Sequence, residues 1–241
     1  MINCLRAEFK AFFKWGAIRY TVVFLLLLSV MIATMNVLNE EPAFSGLFTF
    51  PAVVLMITSA ISGLFIYQDY SQNTIRNKIA VGHSRLEVYL SKVITVGVLQ
   101  IFIIALFLGI SSAIGAICLD TDYVVWEAYW KNWGIVLSST IVVATMTSLI
   151  AINIKSPVGG LLPMMFTSST LFVGIFGMEI LSLNGKEDMV DFLNSCPIIC
   201  LLSVSETVVP TNMIATLLVG MGISAVFVVG GYFLFRKSDL K

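Results

Sequence analysis

Arg76, Lys78, Arg85 and Lys92, together with the only histidine, His83, fall within Gln68 to Lys92, the one long polar run inside an otherwise apolar sequence. This is the densest group of cations between hydrophobic stretches, and such a group is suited to contact with another protein. His83 alone reads as an ordinary histidine of an exposed turn. Other candidates for chemistry are sparse. Cys196 and Cys200 are separated by three residues, not the two of a redox or zinc pair, and with Cys4 and Cys118 they make no disulfide framework. Small apolar packing residues are the preferred reading, with a bridge among Cys118, Cys196 and Cys200 left open. No metal site is expected. No ionisable residue stands near the middle of an apolar run, where proton or sodium coupling usually needs one. Glu179, toward the outer end of the fifth run, and Glu206, just before Pro210, are candidates for an outer gate, and facing external water is their plainer role.

The elements that must position these residues are membrane helices. With 58% hydrophobic and only 12% charged residues, the chain is a polytopic membrane protein and not a soluble domain. A net charge of zero gives no argument for nucleic acid. About 20 apolar residues cross a bilayer as a helix, which predicts six spans near 17–38, 46–67, 90–118, 133–154, 158–182 and 212–235. If the N-terminus is inside, only Lys131 and Lys186 among the basic residues lie outside, so both termini face the cytosol. Trp126, Trp130 and Trp133, with Tyr123 and Tyr129, form an interfacial belt before the fourth span.

Residues 1–16 alternate Leu5, Phe9, Phe12 and Phe13 with Arg6, Lys10 and Lys14 at helical spacing. One greasy and one basic face predict a helix lying in the membrane interface. The following run is too long for a signal peptide, so the chain is expected to keep its N-terminus. Within 68–92, Ser84 and Glu87 form an S-x-x-E cap for the third span. Gly82 can end a preceding helix over 71–81 in a left-handed turn. Ile75 and Ile79 share a face of that helix, with Arg76, Asn77 and Lys78 on the remaining arc. A helix from Arg85 to Cys118 would be about 50 Å long, so its first turns should stand in the cytosol.

The run Asp69–Lys92 resembles the signature region of ABC-2 type permeases, the membrane subunits of a class of ATP-driven exporters. The matching positions are Asp69 and Tyr70; Thr74, Ile75 and Arg76; Gly82 and Arg85; and Ser91 and Lys92. Asn73 stands where many members have glycine. Within the single domain 1–241, the layout is similar to that family over nearly the whole chain: an interfacial helix (1–16), six spans, a coupling loop (68–92) and an outer segment (183–211). It looks most like small permeases of peptide exporters, such as the phenol-soluble-modulin group.

The resemblance implies an all-α single transmembrane domain. It also implies that the helix at 71–81, with Asp69, Tyr70, Thr74, Ile75, Arg76, Lys78, Ile79, Gly82 and Arg85, couples to a cytosolic ATPase. A second permease subunit, the lipid bilayer of a bacterial plasma membrane and an amphipathic or apolar cargo are the other expected partners. The residues agree on one point: the sequence has no Gly-x-x-x-x-Gly-Lys-Ser/Thr loop, and Gly185-Lys186-Glu187 is not one. ATP and magnesium are therefore expected in the partner chain, and this chain is not expected to be an enzyme.

A re-entrant segment is expected from Met189 to Pro210. Hydroxyls on the fourth and fifth spans, from Ser138 to Ser148 and Thr167 to Thr170, offer a lining that cargo could touch or that their own helices could use. The competing classes are a self-protection membrane protein, an ion-coupled secondary transporter and an intramembrane enzyme. The last lacks its paired catalytic residues.

Overall fold

In a hydrocarbon environment every backbone donor needs an internal acceptor, and long apolar segments meet that demand as helices. The computed structural model describes residues 2–38, 50–118, 126–201 and 213–237, and among these there is no strand. The chain runs α1 (Ile2–Lys14), α2 (Gly16–Leu38), α3 (Pro51–Ser71), α4 (Thr74–Ala80), α5 (Arg85–Cys118), α6 (Trp126–Asn153), α7 (Pro157–Leu183), α8 (Glu187–Asn194), α9 (Pro197–Cys200) and α10 (Met213–Lys237). Six of these, α2, α3, α5, α6, α7 and α10, are long and apolar enough to cross a membrane. The protein is thus an all-α, multi-pass membrane protein, and each span overlaps the one expected from hydropathy.

The central helix is α6, in contact with α3, α5, α7, α9 and α10. Its hydroxyls lie inside the bundle, and they donate to carbonyls three or four residues back: Ser139 to Ile135, Thr140 to Val136, Thr147 to Val143 and Ser148 to Ala144. For these four hydroxyls α6 thus supplies the acceptors itself, the simpler of the two roles expected for them. The α3–α7 crossing is close because glycines meet there: a Cβ on Gly63 would overlap the carbonyl of Gly160. Ser156 caps α7 by accepting from the Gly159 amide at 3.1 Å, with Pro157 in the first turn, where a missing N–H costs nothing.

At the far end, Trp126 and Trp130 of α6 are exposed while Tyr129 turns inward against both. Of the expected outer segment, α9 is buried among α6, α7 and α10, with the Pro197 carbonyl accepting from Ser139 at 2.7 Å. Residues 202–212 lie outside the described residues, as do Tyr123 and Glu206. All four cysteines are free.

Candidate functional site

Two short backbone devices set up the end of the bundle where α4 sits. Helix α3 carries on through Ser71, and Asn73 then takes a left-handed conformation (φ 54°), so α4 starts at Thr74 and not at 71. Asparagine is one of the few residues that visits this region readily, which gives Asn73 a backbone role. At the other end Gly82 has φ 104°. Its amide donates to Ile79 and the His83 amide donates to Lys78, both over about 3 Å. This double bond satisfies the last carbonyls of α4. Two residues later the expected cap is in place: the Glu87 amide donates to Ser84 Oγ at 3.2 Å, and the Ser84 amide to Glu87 Oε2 at 3.4 Å. His83 lies beside Glu87 at 3.6 Å.

Seven residues make a helix too short to be stable alone, so packing must hold α4. Ile75 is fully buried with Ile66, Val88, Tyr89, Ala151, Ile152 and Phe235, and Ile79 packs at the edge of that cluster. Thr74 is half-buried, whereas Arg76, Asn77, Ala80 and Val81 are exposed. Lys78 leaves the arc it was expected to share with Arg76 and turns toward the bundle, where it pairs with Glu8 of α1.

Glu8 is the centre of a charged junction. It is completely buried and accepts from Lys78 of α4 through one oxygen and from Lys92 of α5 through the other. Lys92 also pairs with Asp69 of α3, and its ammonium lies 4.4 Å from the centre of the Phe65 ring. Two carboxylates and two ammonium groups thus cancel in formal charge while joining four helices. Burying charges is tolerated only when they are paired in this way.

Around the junction, Tyr70 donates its hydroxyl to the Ile152 carbonyl near the end of α6. Arg85 donates to the Arg236 carbonyl in the last turn of α10 at 2.7 Å. The matched positions Asp69, Tyr70, Ile75, Gly82, Arg85 and Lys92, together with Lys78, therefore converge on one end of the bundle. No family model and no curated protein matches the chain.

The interfacial residues divide. Cys4, Glu8 and Phe12, each four apart, form the stripe of α1 that docks on the bundle, with Cys4 Sγ 3.3 Å from Ser91 Oγ and Phe12 edge-on to Phe65 at 5.0 Å. Phe9 is half-buried, while Lys10, Phe13 and Lys14 face outward. Glu179 is exposed on α7.

The expectation drawn from α1 missed Glu8, because sorting that helix into greasy and basic faces left no place for an acid. One signal was present. Glu8 is the only carboxylate before Glu40, and it lies four residues from both Cys4 and Phe12.

Proposed function

We propose that this chain is the permease subunit of an ATP-driven ABC-2 type exporter in a bacterial plasma membrane, with α4 as the helix that couples it to an ATPase. The reading rests on the resemblance of Asp69–Lys92. The single observation that carries it is the way α4 is held: fixed by turns at both ends and keyed inward by Ile75 and Lys78, it leaves Arg76, Asn77, Ala80 and Val81 for a partner. At about 1.5 Å per residue, the 34 residues of α5 span about 51 Å, some 20 Å more than a hydrocarbon core of about 30 Å. That surplus supports a position for α4 beyond the hydrocarbon core, among the headgroups and the adjoining cytosol, where a motor subunit can reach it.

Force on α4 passes to α1 and α5 through Glu8 and Lys92, to α3 through Asp69, and to α6 and α10 through the Tyr70 and Arg85 hydrogen bonds. Two permeases with two ATPase subunits would alternate access for an amphipathic or apolar cargo, with ATP and magnesium bound by the partner. The exposed side of α1, with Lys10, Phe13 and Lys14, meets the membrane interface. Burial of α9 supports a re-entrant outer segment.

Ion-coupled transport fares less well, because Lys92 lies only about 10 Å along α5 from its first residue, at the end of the bundle and away from its middle. Purification from native membranes tests the proposal. An ATPase should accompany the chain, its hydrolysis rate should change when the two are joined, and Val81→Asp should abolish that change while expression stays normal. A lone chain that exports cargo without an ATPase would contradict it.

A further inference from the structure

Beside α4 a cleft of about 210 Å³ opens between the end of α3, the start of α4 and the α6–α7 connection. Tyr67, Asp69, Tyr70, Ser71, Asn73 and Arg76 line it, with Lys155 facing them from the connection. We propose that this cleft binds a phosphate group, carried by a lipid headgroup or free. The inference does not depend on the transporter reading.

Size narrows the ligand first. Pockets for drug-sized molecules run to about 300–1,000 Å³, so this one suits a headgroup or a small anion. Charge narrows it further. Arg76 and Lys155 come from different elements to one opening, and the acid in the lining, Asp69, already faces the Lys92 ammonium. With Asp69 so engaged, Arg76 meets an incoming anion with a positive charge that no carboxylate of the lining offsets. Arg76 is exposed and makes no ion pair with the described residues, so its planar fork can grip two phosphate oxygens.

A short polar side chain suits the remaining oxygens. Asn73 makes no capping bond, so its side-chain amide can donate to one of them, whereas Ser71 gives its hydroxyl hydrogen to the Gln68 carbonyl. The location fits a lipid, because basic pockets at the ends of transmembrane helices are suited to anionic headgroups, and Tyr67 and Tyr70 supply the aromatic rings favoured at that depth.

The test is the thermal unfolding midpoint of the full chain in detergent, with phosphatidylglycerol, phosphatidylcholine or inorganic phosphate added. Phosphatidylglycerol should raise the midpoint by a few degrees and phosphatidylcholine should not. Arg76→Gln with Lys155→Gln should remove that rise, whereas Lys10→Gln with Lys14→Gln, an equal loss of charge on the outward face of α1, should keep it. A matching rise with inorganic phosphate, lost in the same double variant, assigns the site to the phosphate itself; no such rise assigns it to the intact headgroup. If the double variant does not fold, Arg76→Lys keeps the charge but loses the fork, and should retain fewer copurified anionic lipids by native mass spectrometry. An unchanged rise in the cleft variants, equal loss in the α1 variant, or an equal effect of phosphatidylcholine would overturn the proposal.

Discussion

A carboxylate that accepts from two ammonium groups inside a bundle cannot be removed without stranding both. At Glu8 those groups differ in how far they can recover. Lys78 keeps 16% of its side chain exposed and can turn toward water, whereas Lys92 keeps 1% and serves Asp69 as well. Lys92→Met should therefore lower unfolding stability by about 3–5 kcal/mol, because it leaves Asp69 buried without its cation. Lys78→Met should cost about 1 kcal/mol. Denaturation of the two purified variants gives the comparison, and a larger loss at Lys78 would mean that the junction is not organised around Lys92. Little of this was legible in the sequence. Lys78, Lys92 and Asp69 stood out as members of a polar run, but Glu8, the partner of both lysines, lies 70 and 84 positions away from them, and no local spacing connects it to them.

Among the elements, α4 was the more readable. Its stop and the cap that follows depend on bonds between near neighbours, so Gly82 and the Ser84–Glu87 pair were visible as patterns. The start was not, because the left-handed turn at Asn73 moved it by three residues. Gly82→Ala should cost about 1–2 kcal/mol through a backbone conformation that a Cβ disfavours. Its effect should appear as faster amide exchange in residues 74–83 with the spans unchanged. The helix crossings were illegible for a different reason: spans that are apolar on nearly every side do not mark the face that meets a neighbour. Only the structure pairs Gly63 with Gly160. Gly63→Ala should force the α3 and α7 backbones apart and cost about 1–3 kcal/mol, whereas Gly109→Ala, with open space around its Cβ position, should be silent in the same unfolding assay.

For the molecule as a whole, six spans followed from length and hydropathy, and the structure places α1, α4 and the last turn of α10 at one end. The charge distribution predicts that this end is cytosolic, and the proposed function requires it. Cross-linking from α4 tests that requirement most directly, because Val81 is 83% exposed at the tip of α4 and can carry a probe without disturbing Ile75 or Lys78. With Val81→Cys in native membranes, a thiol-reactive cross-linker should join the chain to a soluble ATP-binding subunit, and labelling should need a reagent that crosses the membrane. Labelling of Val81→Cys by an impermeant reagent from outside intact cells, with no ATP-binding protein captured, would contradict the account.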